Sequence, residues 1–265
     1  MRAAVYYGNH NLEIEDVPEP TPGDGQVKVK VSRNGICGTD LHEYYDGPIF
    51  IPPADPHPLT GKHMPLVIGH EFSGVVTAVG NEVTDVQEGE NVTIEPIYRC
   101  GECRPCKSGR YHLCTVIGFH GLMADGGMAE YTVVPRNQVH KLPDTVALEL
   151  GALVEPMSVA YHAAVLGDVG EQSSALIYGA GPIGIGLWFA LRGMGLTQID
   201  VVDPPKPGAS RSRRWAREPS TQQPWTCRPW SPTAPTATAS TPPSTPPASR
   251  QRSSPRSTAS GNAAR

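Results

Sequence analysis

Four cysteines fall within fifteen residues, Cys100-x2-Cys103-x2-Cys106-x7-Cys114. Thiolates are soft ligands, and three short spacings followed by a longer one let a single loop wrap one tetrahedral ion, which predicts a closed structural zinc site. The competing reading is a pair of disulfides. The N-terminal MRAAVYYG lacks the apolar segment and cleavage site of a secretory signal, so the expectation is a cytoplasmic, thiol-reduced protein holding zinc. A second set of metal-binding types is scattered: Cys37 in GICGTDLH, His70 and Glu71 in VIGHEFSG, and Glu155 in ALVEPMSVAYH. Taken singly, Cys37 reads as a small buried hydrophobe and His70 as a satisfied core histidine. Their spacing alone decides little, but beside the four-thiolate loop the set matches the mixed thiolate, imidazole and carboxylate donors of a catalytic zinc, which keeps one coordination position open.

The third constellation is a phosphate cradle. The apolar run ALIY at 175–178 has the character of a buried parallel strand. Gly179-Ala180-Gly181-Pro182-Ile183-Gly184 follows, and then the helix-like IGLWFALRGMG. Between a strand and a helix, GxGxxG allows a tight turn, close approach of backbone to a pyrophosphate, and a helix N-terminus facing the phosphates. A second apolar run, IDVVD, ends at Asp203, placed to bind ribose hydroxyls. A carboxylate there repels a 2′-phosphate, which favours NAD over NADP. Asp200 is the competing acid, inside the run rather than at its end.

These sites need two scaffolds. Residues 1–155 hold short valine-containing runs broken by Gly and Pro, such as QVKVKVSRNG, FSGVVTAVG and ENVTIEPI, the pattern of a compact β domain. Residues 156–203 turn toward helix and enter the βαβ nucleotide unit. Residues 204–265 differ in kind. They contain no Leu, Ile, Val, Met, Phe or Tyr, and they hold 13 of the 28 prolines. Three of the four tryptophans lie there too, but without aliphatic and phenyl partners the segment cannot bury a core and is expected to be disordered. Its ten Lys and Arg against one acid give +9, so a total of −4 leaves −13 on residues 1–203. No stretch of the chain is apolar enough to span a membrane.

The run Gly69-His70-Glu71-x2-Gly74-x5-Gly80-x2-Val83 resembles the zinc signature of the medium-chain dehydrogenase/reductases, and the four-cysteine loop resembles that family's structural zinc lobe. The resemblance covers residues 1 to about 203. NGICGTDLHEYYDGPIF, EPIYRCGECRPC and IGFHGLMADGGMAEYTVVP look most like its 2,3-butanediol dehydrogenase branch, with sorbitol and threonine dehydrogenases as near alternatives. The resemblance implies a GroES-like barrel followed by a Rossmann (doubly wound parallel sheet) domain, here truncated, with one catalytic and one structural zinc. It implies Cys37, His70 and Glu155 as ligands of the catalytic zinc, with Glu71 able to exchange in. Thr39 matches the hydroxyl that passes on the substrate proton and His42 the histidine that hands it to solvent, although by themselves they read as a loop hydroxyl and a surface histidine. The implied activity is hydride transfer between NAD and a secondary alcohol or vicinal diol, 2,3-butanediol with acetoin as product being favoured. A small-molecule alcohol is the expected partner, rather than nucleic acid or membrane. Intact members form homo-oligomers, which the truncation puts in question here. A zinc-free quinone reductase would have no use for the cysteine loop. The other function class is a non-catalytic zinc-binding β domain with a basic tail.

The tail has a further reading. Its Thr, Ala, Ser and Pro codons have a free third base, and joining each third base to the next two permits DGVDAAFDAAGVAP across Ala237 to Gln251 and LGARTVDP across Arg214 to Gln222. Trp has one codon, so Trp215–Ala216 is forced to Gly and Trp225–Thr226 to Asp, and both fit. One base lost or gained near the codon for Asp203 would account for the change of character. As written, the chain keeps about two strands of the nucleotide sheet, a marginal unit by itself, so weak NAD binding and low turnover are expected of it.

Overall fold

A computed structural model describes residues 1–170 and 172–203, together with two short strands further on. The readings that concern the rest of 204–265, the disordered tail and the altered frame among them, lie outside the described residues. Strands β1 (Arg2–Gly8) and β2 (Asn11–Asp16) form an antiparallel hairpin. Strand β3 (Gln26–Asn34) leads through Cys37 into helix α1 (Gly38–Asp46), and β4 (Leu66–Val67) then pairs with β1. Next come β5 (Phe72–Val79), β6 (Asn91–Ile94) and β7 (Ile97–Tyr98), the short helix α2 (Arg104–Lys107), β8 (Gly118–Phe119), β9 (Tyr131–Pro135) and β10 (Val139–Lys141).

One five-stranded sheet, ordered β10-β6-β5-β3-β9 with every pair antiparallel, forms the body of this part. Its core follows from period-two alternation in β3, where Val27 and Val29 are buried between more exposed lysines. Phe72, Val76, Val92, Ile94, Val134 and Val139 complete that core. Each such side chain contributes about 1.5–3 kcal/mol by leaving water, so Val29→Asp would break the domain.

Helices α3 (Leu148–Gly151) and α4 (Val154–Leu166) follow, then β11 (Ser174–Tyr178), α5 (Pro182–Gly193) and β12 (Gln198–Asp203). Pro182 opens α5, where a missing N–H costs nothing. Beyond its end Gly195 adopts φ +95°, and Leu196 N–H donates to the Leu191 carbonyl at 3.1 Å, a closure that suits glycine. Strands β11 and β12 run parallel, with α5 packed through Leu191 and Ala190 on Ile177 and Val201. The strand–helix–strand unit expected from the glycine motif is therefore present. Two three-residue strands, β13 (Arg213–Trp215) and β14 (Cys227–Pro229), extend this sheet antiparallel, so among the described residues its parallel part is β11 and β12. Among the described residues no helix is long and apolar enough to cross a membrane.

Candidate active site and metal centres

Antiparallel pairing of β3 with β5 assembles the first site. Asn34 pairs with Phe72, and Gly35 N–H donates to the Glu71 carbonyl at 2.7 Å. Cys37, just past the end of β3, thus meets His70 and Glu71, just before the start of β5. Ligand atoms of Cys37, His70 and Glu71 all lie within 4.8 Å of one another. Cys37 caps α1, and its N–H donates to Asp40 Oδ2 at 2.9 Å. Helices α3 and α4 reach the same end of the sheet because Thr93 Oγ1 donates to the Gly151 carbonyl at 2.9 Å. The first turn of α4 carries Glu155. Glu155 is not one of the three clustered ligands, but it lies within electrostatic reach of His70, Glu71 and Asp40.

The electrostatics of this cluster call for a cation. Burial pushes the Cys37 thiol up, with hydrogen bonds to Thr39 opposing. Burial likewise raises the carboxyls of Glu71, Glu155 and Asp40, each opposed by the neighbouring His70. One thiol and three carboxyls surround a single imidazole, a donor set whose ionised form a divalent ion would balance when bound. Asp40, which the sequence reading did not single out, is 4% exposed, and its Oδ1 faces His70 Nδ1 at 3.7 Å. Both atoms are buried without a hydrogen-bond partner. A carboxylate behind one imidazole nitrogen orients the other toward a metal. The available signal was position, three residues after Cys37 on the same helix. Thr39 Oγ1 lies 3.6 Å from Cys37 Sγ. His42 is placed outward, its side chain 70% exposed with Nδ1 3.5 Å from Asp46 Oδ2.

The second centre is built on a hairpin. β7 and β8 pair through Ile97 with Phe119 and Tyr98 with Gly118, closing the loop that carries the four cysteines. All four sulfurs lie within 4.8 Å of one another. Cys100 Sγ is 3.5 Å from Cys114 Sγ and 4.0 Å from Cys106 Sγ. Those separations exceed a disulfide bond of about 2.05 Å and suit sulfurs each about 2.3 Å from one tetrahedral zinc, which stand roughly 3.8 Å apart. The cysteines are free. Backbone N–H groups of Cys100 and Cys103 donate to Cys114 Sγ and Cys100 Sγ, both at 3.4 Å. The thiols differ: backbone hydrogen bonds at Cys106 and Thr115 draw Cys103 down to about 6, whereas burial pushes Cys106 up to about 12. The fit is to zinc, not to disulfides.

At the third site Gly179 follows β11 with φ +99°, a conformation open to glycine. A Cβ on Gly184 would stand 1.9 Å from the Gly179 carbonyl oxygen, whereas one on Gly181 would meet nothing within 4 Å. Gly184 is therefore needed for the turn itself, and Gly181 leaves room in front of it. Pro182 and Ile183 begin α5, so their end of the helix faces that space. Gly179 N–H donates to the Val202 carbonyl at 2.7 Å and Ala180 N–H to Asp203 Oδ1 at 3.1 Å. Asp203 thus stands at the carboxyl end of β12 beside the glycine turn, while Asp200 lies inside the strand opposite Leu176.

Comparison with known proteins agrees with this geometry. Residues 23–144 match the alcohol dehydrogenase GroES-like domain. The (R,R)-butanediol dehydrogenase of Neisseria gonorrhoeae is 44% identical over 201 residues, covering 75% of this chain and 57% of that protein. The crystal structure of 2R,3R-butanediol dehydrogenase from Bacillus subtilis superposes with a TM-score of 0.70 at 42% identity, covering 75% of this chain and 56% of that one. An Escherichia coli alcohol dehydrogenase crystallised with NADH gives a TM-score of 0.67 at 36% identity, with 75% and 55% covered. The chain spans somewhat over half the length of these relatives.

Proposed function

Because residues 1 to about 203 belong to the zinc-type medium-chain alcohol dehydrogenases, close to the 2,3-butanediol dehydrogenases, we propose that the protein serves NAD-dependent interconversion of a secondary alcohol or vicinal diol and its ketone. 2,3-Butanediol and acetoin are the favoured pair. The observation that carries this reading is the convergence of Cys37, His70 and Glu71 within 4.8 Å. When bound, zinc supplies Lewis acidity toward the substrate hydroxyl, and NAD takes the hydride.

The chain's own residues do the rest. Cys37 and His70 hold the metal, with Glu71 and Glu155 as the carboxylates that complete or exchange into its shell, and Asp40 orients His70. Thr39, 3.6 Å from Cys37 Sγ, is the hydroxyl that relays the substrate proton, giving up its own as it takes one. Exposed His42 passes it to solvent. Gly179, Gly181, Pro182, Ile183 and Gly184 cradle the pyrophosphate, and Asp203 takes the ribose hydroxyls and disfavours a 2′-phosphate. Cys100, Cys103, Cys106 and Cys114 hold the structural zinc. A cytoplasmic location and a homo-oligomer in the intact family complete the proposal, with residues 1–155 as the catalytic domain and 156–203 as the start of the nucleotide domain.

The test joins three measurements. Zinc analysis of the full chain should give two equivalents, and His70→Ala should lose one of them. Coding DNA resequenced from the codon for Gly195 to that for Trp230 should show a missing or extra base. Protein made from the restored frame should then reduce acetoin with NADH. Two zincs with no activity in the restored protein toward acetoin, sorbitol or threonine would overturn the assignment.

A further inference from the structure

Two exposed histidines outside all three sites stand together. His112 lies in the one-turn segment Tyr111–Leu113 of the cysteine lobe, and His162 lies on α4, fifty positions later. Their ring centroids are 5.6 Å apart at an interplanar angle of 65°. An imidazole nitrogen sits about 2.1 Å from a bound first-row metal. Two rings on one ion therefore have centroids roughly 4.6 Å apart at a right angle and roughly 5.3 Å apart at the tetrahedral angle. The observed separation lies about 0.3 Å beyond the upper end of that range.

The pair is held without help from a metal. The Arg99 guanidinium lies 4.0 Å over the Tyr111 ring, and Arg99 NH1 is 3.7 Å from Glu95 Oε2. These contacts fix the turn beside His112. His162 belongs to a thirteen-residue helix, so both imidazoles come from ordered backbone and face water. We propose that His112 and His162 form a third metal site, solvent-accessible and distinct from the two zinc centres, that takes a late first-row divalent ion such as Cu2+, Ni2+ or excess Zn2+. Imidazole suits these ions, and water fills the remaining positions.

The site ties two parts of the molecule together. Glu155 and His162 are seven residues apart on α4, which places them within about 20° on one helix face and about 10.5 Å apart along it. An ion on His112 and His162 fastens the cysteine lobe to the helix whose first turn carries Glu155.

Copper provides the readout. The full chain, saturated with zinc and freed of excess, is titrated with Cu2+ and followed by electron paramagnetic resonance. One tight equivalent should appear, with splitting from two imidazole nitrogens. His112→Gln and His162→Gln should each lose that signal and weaken copper by more than about tenfold. His63→Gln, at another exposed histidine, should retain it. Should His112→Gln release the lobe zinc, His162→Gln decides the matter, since it lies outside the lobe. A His162→Gln protein that keeps the equivalent, or a wild-type spectrum without two nitrogens, would overturn the proposal.

Discussion

His120 is the group through which burial most directly controls stability. It is 1% exposed, with Nδ1 2.9 Å from Tyr98 Oη and Nε2 3.0 Å from Thr132 Oγ1. Both partners are hydroxyls, which accept as readily as they donate, so they suit either protonation state. Burial decides: it drives His120 down from 6.5 to about 4, against the pull of Asp125 and with a smaller push from His70. The unfolded chain therefore takes up a proton near pH 6.5 that the folded chain refuses until about pH 4. Stability is full above the unfolded value and falls as pH drops between the two. At about 1.4 kcal/mol per tenfold in proton affinity, the loss across that window is about 3 kcal/mol. Urea unfolding of zinc-loaded protein at pH 7 and pH 4 measures it, with His120→Gln as the reference. The variant loses some stability at both pH values, because an amide fits the two hydroxyls less well. It should, however, lose about 3 kcal/mol less than wild type on acidification. Equal losses in the two proteins would refute the assignment of a neutral, desolvated imidazole.

Asp40→Asn keeps an oxygen for the Cys37 N–H but removes the charge behind His70. Zinc competition with a chelator should show roughly 10–100-fold weaker binding at that site and no change at the four cysteines. Gly35→Ala sets a Cβ 2.2 Å from Glu71 Oε2, the movable end of a side chain. The fold should therefore hold within about 1 kcal/mol, while X-ray absorption of the bound zinc loses an oxygen neighbour if Glu71 is a ligand. Gly184→Ala, whose Cβ meets backbone, should cost about 1–3 kcal/mol in urea unfolding. Gly181→Ala should be nearly neutral there yet weaken NAD in an equilibrium titration, because its methyl enters the space kept for phosphates.

Where the chemistry was local, the sequence was legible. The cysteine loop and the glycine turn each lie on one short stretch, so spacing alone predicts which atoms meet. Cys37 and His70 are separated by more than thirty residues, and their meeting depends on the register of β3 against β5, which residue types do not reveal. The same holds for Thr93 holding α3 and so delivering Glu155. Asp40 escaped notice because a carboxylate in a first helical turn ordinarily caps that helix, and Asp40 does so with one oxygen while presenting the other to His70. His112 and His162 escaped for the opposite reason: each is an unremarkable surface histidine, and only packing of α4 against the lobe brings them together.

The break after Asp203 has a physical counterpart in the sheet. In a doubly wound sheet the first strand is central and has a parallel neighbour on each side. Here β11 pairs only with β12 among the described strands, and the strands added beyond β12 run antiparallel. Leu176 and Tyr178 on β11 are 52% and 79% exposed, values typical of an edge rather than a sheet centre. The tail as written has no Leu, Ile, Val, Met or Phe with which to cover them. The alternate frame permits DGVDAAFDAAG, whose Val and Phe are side chains of a kind that the tail as written lacks. If that frame is the true one, hydrogen exchange at the amides of Leu176 and Tyr178 should slow greatly in the restored protein relative to the 265-residue chain. Equal exchange in both would mean that the restored segment does not complete this sheet.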